Sequence, residues 1–284
     1  MAEAIIQHSE GYFTASQGAQ LYQQWWLPQA EMRGLVVICH GIAEHSGRYA
    51  HVARALCTQG YGAGSFDLIN HGQSGNRSIF VDSFDHYLAD IDIFLKQALQ
   101  KAAGKPVFML GHSMGGTITT LYVITRQLHK LRGIILSAPA VKIGSDISPF
   151  LIKISGILSA LTPHLKIVTL DNSSISKDPE VMQRYDADPL NYREGVPART
   201  GAELNRAIGR IQANFKAIQL PFLLMHGTAD RLADINGSHM LYEQAASEDK
   251  TFKTYEGLYH EIMNEPEKET VFSDIITWLN AHND

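Results

Sequence analysis

The stretch KPVFMLGHSMGGTITTLYV, residues 105–123, contains a serine between two apolar segments of different period. PVFML has the length and hydrophobicity of a buried strand, and MGGTITTLYVITRQL has helical apolar spacing. Ser113 therefore lies in a G-x-S-x-G pattern on a strand-to-helix turn, the setting of a nucleophile elbow. Such a turn leaves no room for Cβ atoms at Gly111 and Gly115, and Gly116 lets the helix pack closely on the sheet. A helix-capping serine would explain the turn but not these glycines.

Apolar runs of strand length alternate with helix-period segments along most of the chain. This alternation predicts an α/β fold with a mostly parallel sheet covered by helices on both faces. The predicted strands are 34–40, 61–67, 106–112, 133–139, 221–227 and 251–257, and the predicted helices are 48–59, 83–102, 114–129, 237–247 and 267–281. Upstream, GYFTASQGAQLYQQWWLP (11–28) predicts two antiparallel edge strands joined by a glycine-containing turn.

The segment 141–219 interrupts this alternation, because it is far longer than a normal crossover between two strands. We predict an α/β core formed by 1–140 and 220–284, with 141–219 inserted as a lid subdomain. Its first part, SPFLIKISGILSAL (148–161), is rich in Ile, Leu and Phe. This composition indicates either an apolar underside over a binding site, transient contact with a membrane surface, or simple packing on the core.

The amino-acid composition excludes several classes of protein. A chain of 284 residues that is 45% hydrophobic and 19% charged can bury the core of one large α/β domain. The net charge is −5 and no run of Lys or Arg occurs, so nucleic acid is not an expected partner. The N-terminal residues lack a basic segment followed by an apolar one, and we expect a cytoplasmic protein. The only cysteines, Cys39 and Cys57, predict neither a disulfide framework nor a zinc site.

A serine hydroxyl is a poor nucleophile at neutral pH, so the elbow requires a histidine base and an acid that orients it. In this kind of fold they follow in the order Ser, Asp or Glu, His. Asp230 in PFLLMHGTADRLAD (221–234) and His260 in TFKTYEGLYHEIMNE (251–265) each follow a predicted strand. Asp234 and His239 are alternatives, but they lie in or near the next helix. Catalytic groups gather at the carboxyl ends of strands, which favours Asp230 and His260.

The same chemistry needs two backbone amides to stabilise the oxyanion of a tetrahedral intermediate. One is expected from Met114, the residue after the nucleophile. The other is expected from the loop after the strand GLVVICH (34–40), where we assign it to Ile42.

Five segments of the chain carry a resemblance: HGIAEHSGRY (40–49), GHSMGG (111–116), SKDPEVMQRYDADPL (176–190), MHGTADRLAD (225–234) and LYHEIMNE (258–265). Together they resemble the monoacylglycerol lipase and lysophospholipase-like branch of the α/β-hydrolases, over nearly the whole chain. The resemblance implies an eight-stranded, mostly parallel sheet with an inserted helical lid. It also implies a serine esterase that cleaves monoacylglycerols without cofactor or metal, using Ser113, Asp230 and His260 as the triad.

The resemblance also places substrate-binding residues. It implies that the oxyanion amides are those of Ile42 and Met114, and that Glu44, Arg48 and His112 bind the polar end of the substrate. For Glu44 and Arg48 the plain alternative is a salt bridge at the start of a helix.

Two positions depart from the family pattern. Asn70 in FDLINHGQSG (66–75) stands where relatives usually have glycine, and Ile42 is bulkier than the residue often found beside the oxyanion. A larger side chain at Ile42 is expected to narrow the entry of the acyl chain.

Competing functions on the same scaffold include a lysophospholipase, a short-chain carboxylesterase and a proline iminopeptidase-like amide hydrolase. The amide hydrolase requires an acidic anchor for the substrate amine, for which the sequence offers only Glu44. A non-catalytic lipid-binding protein is disfavoured because all three triad positions are occupied. If His260 is the base, activity is expected to rise with pH through roughly 6 to 7.

Overall fold

A computed structural model describes residues 5–126, 130–144, 148–169 and 171–283, with backbone alone considered at 149–153. One sheet has eight strands: β1 (Ile6–Thr14), β2 (Gln20–Pro28), β3 (Gly34–Cys39), β4 (Tyr61–Phe66), β5 (Val107–His112), β6 (Gly133–Ser137), β9 (Phe222–Gly227) and β10 (Lys250–Tyr255). Their order across the sheet is β1-β2-β4-β3-β5-β6-β9-β10. The strands β7 (Lys166–Val168) and β8 (Val196–Pro197) form a separate antiparallel pair.

The sheet is parallel from β4 to β10, and β2 runs antiparallel to both of its neighbours, β1 and β4, which gives the antiparallel edge that the sequence predicts. All six residues of β3 are buried, and they alternate between two cores. Leu35, Val37 and Cys39 pack on one face, and Val36 and Ile38 on the other. A strand that is buried on both faces must be continuously apolar, which is why GLVVIC lacks the alternation of an exposed strand.

Eight α-helices lie in the described chain: α1 (Ala50–Thr58), α2 (Phe84–Ala102), α3 (Met114–Thr125), α4 (Pro149–Leu161), α5 (Pro179–Ala187), α6 (Ala198–Gln212), α7 (Ile235–Gln244) and α8 (Lys268–Ala281). Helices α1 and α8 cover the face of Val36 and Ile38, and α2, α3 and α7 cover the opposite face. The predicted α/β class and the predicted strands are confirmed. None of the described helices combines the length and the hydropathy needed to span a membrane.

Most helix boundaries differ from their predictions by one to four residues. Helix α7 begins at Ile235 rather than at residue 237, because the Asp234 carboxylate accepts a hydrogen bond from the Asn236 amide and caps the helix. Helix α3 ends at Thr125, and the predicted continuation to residue 129 lies partly outside the described residues.

The long segment 141–219, here called the lid segment, contains α4, β7, α5, β8 and α6 between β6 and β9. Helix α4 packs against α6, and α6 also packs against α3 of the core. The division into a core and a separate lid subdomain stays a prediction.

Candidate active site

Ser113 occupies the turn between β5 and α3 with backbone angles φ 54° and ψ −120°, a conformation that a residue with a side chain rarely adopts. The flanking glycines are required by close approach. A Cβ on Gly115 would overlap the carbonyl oxygens of Cys39 and His40, and a Cβ on Gly111 would overlap Gly115. The geometry is that of a nucleophile elbow, as the sequence predicts.

Asp230 and His260 come together at the carboxyl ends of β9 and β10. His260 Nδ1 lies 2.7 Å from Asp230 Oδ2, and His260 lines the same cavity as Ser113. A carboxylate can only accept, so Nδ1 carries the hydrogen and a neutral ring keeps Nε2 as an acceptor. Ser113, Asp230 and His260 are therefore gathered at one edge of the sheet.

The Asp230 carboxylate is buried and receives several donors. Its Oδ1 accepts from the amides of Leu232 and Ala233, at 2.8 and 3.0 Å. His226 Nε2 lies 3.0 Å from Oδ2. Burial alone would raise the pKa of Asp230, but the histidine partners, His260 first, hold it far below its usual range. The carboxylate therefore stays ionised at neutral pH.

The same contact acts on the histidine. Burial lowers the pKa of His260, but the adjacent Asp230 carboxylate outweighs this, so the pKa lies above the ordinary value of 6.5. The unperturbed value assumed from sequence is therefore corrected upward.

The alternatives Asp234 and His239 have other contacts. Asp234 caps α7 and forms an ion pair with Lys142 at 2.6 Å. The His239 ring lies edge-on to Phe252, with 5.0 Å between ring centroids. Neither residue lines the cavity that contains Ser113.

Ile42 and Met114 both line the cavity beside Ser113. Within the described ranges, the amide of neither residue donates to a protein oxygen. The preceding peptide is fixed instead, because the Gly41 amide donates to Glu44 Oε1 at 2.5 Å. The two amides thus remain available to an oxyanion, as the oxyanion prediction requires.

Glu44 and Arg48 belong to a buried ion cluster rather than to a simple pair. Arg48 Nη1 donates to Glu44 at 2.6 Å, and both Nη atoms donate to the Glu261 carboxylate at 2.7 Å. The guanidinium also lies over the Tyr185 ring, 4.9 Å from its centroid. Burial would raise the pKa of Glu44, but Arg48 holds it at about 2. The salt bridge and the cavity-lining position are therefore both present.

His112 also lines the cavity, and its ring centroid lies 4.8 Å from that of His260. Its Nδ1 lies 3.2 Å from the Ser137 carbonyl oxygen, which can only accept, so Nδ1 is the protonated nitrogen. Burial and the neighbouring His260 lower the pKa of His112 to about 4. The ring is neutral at neutral pH.

The cavity has a volume of about 130 Å³ and opens to solvent. Its polar end contains Glu44, Arg48 and Glu261. Elsewhere the lining is mainly apolar, although Ser155, Asn172 and Asn205 also contribute; the apolar residues include Ile143, Ile167, Ile175, Val196, Leu204 and Leu232. Most of these apolar residues lie in the lid segment. The described residues include no group of three or more His, Cys, Asp or Glu that could hold a metal ion.

The lid segment is joined to the loop of Ile42 at several points. The Ala43 carbonyl accepts from the Tyr192 amide at 2.9 Å and from the Tyr185 hydroxyl at 3.1 Å. His45 Nε2 lies 2.9 Å from Asp188 Oδ2. One short loop therefore carries a predicted oxyanion amide and anchors the lid segment.

The two departures from the family pattern have structural explanations. Asn70 has φ 61°, a left-handed conformation that asparagine tolerates better than most residues, and its side-chain amide donates to the Phe80 carbonyl at 2.8 Å. The Ile42 side chain packs against a small cluster that includes Ile79 and Val196. Its effect on acyl-chain entry stays a prediction.

Sequence reasoning missed His226, Tyr185 and Glu261. His226 is the sixth residue of the predicted strand 221–227, and no sequence pattern indicated that it contacts Asp230. Glu261 directly follows His260, so its position beside the base was a usable signal, but its partner Arg48 is 213 residues away.

Comparisons with known proteins agree with this site. A family model described as serine aminopeptidase, S33, matches residues 30–267. The monoacylglycerol lipase of Mycolicibacterium smegmatis is 35% identical over 274 residues, covering 96% of this chain and 98% of that protein. The monoglyceride lipase of Homo sapiens is 34% identical over 266 residues, covering 93% and 88%.

Solved structures give the same result. The crystal structure of the Paleococcus ferrophilus monoacylglycerol lipase has a TM-score of 0.83 to this chain at 32% identity, covering 92% of this chain and 99% of that one. The predicted resemblance is therefore confirmed. The chain is a hydrolase of the α/β-hydrolase superfamily and belongs to the family described as serine aminopeptidase, S33, in the branch that contains the monoacylglycerol lipases.

Proposed function

We propose that the protein is a serine carboxylester hydrolase that cleaves monoacylglycerols to fatty acid and glycerol through an acyl-enzyme on Ser113. The observation that carries this proposal is that Ser113 lines one cavity together with His260, which is paired with Asp230. This cavity has a polar end, and its other walls are mainly apolar. A monoacylglycerol likewise has a polar part, the glycerol head, and an apolar part, the single acyl chain.

In the proposed mechanism His260, held in its tautomer by Asp230, takes the Ser113 proton as the serine oxygen attacks the ester carbonyl. The amides of Ile42 and Met114 donate to the oxyanion, and removal of one such donor typically costs about 3 kcal/mol of transition-state stabilisation. The intermediate collapses, glycerol leaves with the proton from His260, and water then attacks the acyl-enzyme with His260 again as the base.

The apolar part of the cavity would bind the acyl chain, where each buried CH₂ contributes roughly 0.8 kcal/mol. At the other end, Glu44, Arg48 and His112 would surround the glycerol hydroxyls. The amide-hydrolase alternative is less well supported, because the Glu44 oxygens already accept from Gly41, Arg48 and Tyr49. These donors occupy three of the roughly four acceptor positions of the Glu44 carboxylate.

We also propose transient contact between the lid segment and a lipid bilayer, from which monoacylglycerols would be taken up. Ile157, Leu161 and Leu165 are 64%, 75% and 50% exposed at the end of α4 and just beyond it. Ile157 and Leu161 are four residues apart and share one face of the helix. An exposed apolar group of this kind fits the interface of a membrane.

The test of the hydrolase proposal is Ser113→Ala. The variant should lose nearly all turnover of 1-oleoylglycerol and of p-nitrophenyl acetate, and it should no longer react with a fluorophosphonate, while its circular dichroism stays unchanged. Retained turnover would overturn the role of Ser113. Faster cleavage of an aminoacyl amide than of 1-oleoylglycerol by the native enzyme would favour the amide hydrolase instead.

A further inference from the structure

The buried ion cluster at the polar end of the cavity is not electrically balanced. Arg48 lies between two carboxylates, with Glu44 at 2.6 Å and Glu261 at 2.7 Å. The two carboxylates are buried and the Arg48 side chain is only 11% exposed, so solvent screens their charges weakly. Two carboxylates and one guanidinium leave one negative charge in excess beside the position proposed for the leaving alcohol.

The rest of the cavity wall does not compensate this charge. Apart from the cluster, the lining residues with a titratable side chain are Tyr185, His112 and His260. Burial raises the pKa of the Tyr185 phenol well above its ordinary value, so this side chain is neutral. His112 is neutral at neutral pH because burial and the neighbouring His260 lower its pKa to about 4. His260 must be neutral in the form that accepts the Ser113 proton. A substrate therefore meets an anionic end of the cavity in the reactive state of the enzyme.

The carboxylates of Glu44 and Glu261 have different hydrogen-bond partners. Glu44 also accepts from the Gly41 amide and the Tyr49 hydroxyl, so it holds the loop that carries Ile42. The Glu261 carboxylate accepts two donors from Arg48 and one from Asn264, whose side-chain amide lies 2.7 Å away. The fork of the Arg48 guanidinium that faces Glu261 has the geometry that binds phosphate in two parallel hydrogen bonds. Glu261 occupies that fork.

We propose that Glu261 determines head-group specificity, by filling the phosphate-binding fork of Arg48 and leaving the site anionic, so that the enzyme accepts neutral glycerol esters and rejects acylglycerol phosphates. This inference rests on the proposed monoacylglycerol hydrolase function and separates it from a lysophospholipase acting on anionic head groups. Like charges placed together in a buried site disfavour the wrong ligand strongly.

The experiment compares 1-hexanoylglycerol with 1-hexanoylglycerol 3-phosphate, which share the acyl chain and differ only in the phosphate. The short chain keeps both substrates below the concentration at which they form micelles. In the native enzyme we expect kcat/KM for the phosphate to be at least a hundredfold lower. Equal values for the two substrates would overturn the proposal without any variant.

The informative variant is Glu261→Gln, which removes the excess charge and frees part of the Arg48 fork. The ratio of kcat/KM for the phosphate to that for the neutral ester should rise at least tenfold. If the substitution also alters His260 as a base, kcat/KM changes for both substrates and their ratio is unaffected. Turnover of p-nitrophenyl acetate, which has no glycerol head, measures that effect separately. An unchanged ratio would overturn the role of Glu261.

The matched control is Glu267→Gln. Glu267 lies on the same segment and pairs with Lys177 at 2.6 Å, but it does not line the cavity. Both substitutions replace Glu with Gln, so they change the net charge of the protein equally. Its ratio should equal that of the native enzyme, and an equal rise in both variants would mean that overall charge rather than the fork sets the ratio. Failure of the hydrolase proposal is distinguishable, because 1-hexanoylglycerol would then not be cleaved at all.

Discussion

His260 donates from Nδ1 to the buried Asp230 carboxylate at 2.7 Å, and this contact sets the pH range in which the ring can act as a base. Only the neutral ring can take the Ser113 proton. Because the pKa of His260 is raised above 6.5, the ring stays protonated to higher pH than an isolated histidine. The kcat/KM for p-nitrophenyl acetate should therefore rise with pH with a midpoint above 6.5. A midpoint at or below that value would contradict the assigned base.

Asp230→Asn should lower kcat by a factor on the order of 10⁴, because the amide no longer holds the His260 tautomer or stabilises its charged form. Asp234→Asn is the control, since Asp234 caps α7 and pairs with Lys142 outside the cavity. That variant should keep its kcat even if its unfolding midpoint falls. A large loss of kcat in Asp234→Asn together with a retained kcat in Asp230→Asn would instead assign the acid of the triad to Asp234.

Gly115→Ala should destabilise the fold by about 1–3 kcal/mol or more, because the new Cβ meets the backbone oxygens of Cys39 and His40, which cannot move independently of β3. Gly209→Ala, in α6, places its Cβ in open space and should raise stability by about 0.5–1 kcal/mol. Urea unfolding followed by circular dichroism measures both. Equal stabilities would show that the elbow tolerates a side chain.

The triple variant Ile157→Ser, Leu161→Ser, Leu165→Ser should bind phosphatidylcholine vesicles at least tenfold more weakly than the native protein. A tenfold loss corresponds to about 1.4 kcal/mol, less than full burial of one such side chain contributes. Turnover of p-nitrophenyl acetate in solution should be unaffected. The matched control is Ile5→Ser, since Ile5 is 68% exposed but lies ahead of β1. Equal binding by all three proteins would remove the proposed membrane contact.

The sequence predicted the parts of the molecule that depend on local pattern. Strands such as GLVVIC are buried on both faces, so continuous hydrophobicity marked them, and the G-x-S-x-G turn marked Ser113. Asp230 and His260 could be predicted because the carboxyl ends of neighbouring parallel strands meet at one edge. Their order along the chain completed the argument.

The parts that were missed depend on contacts between distant segments. Glu261 and Arg48 are far apart in sequence, and only the packed fold brings the carboxylate to the guanidinium. His226 lies inside a strand pattern, where a histidine usually has a packing role, and its contact with Asp230 arises from the turn after β9. The pKa of His260 could not be predicted either, because it is the balance of burial and one short contact.

The Ala43 carbonyl accepts hydrogen bonds from Tyr185 and Tyr192 and so connects the lid segment to the loop that carries Ile42. Ala43 follows Ile42 directly, so a displacement of Tyr185 and Tyr192 away from the core pulls on the peptide next to a proposed oxyanion donor. We therefore expect entry of the acyl chain to be coupled to the position of the proposed oxyanion donor. An ester that is too long for the cavity and displaces Tyr185 and Tyr192 is then expected to bind and yet to be hydrolysed slowly, so that it inhibits the enzyme.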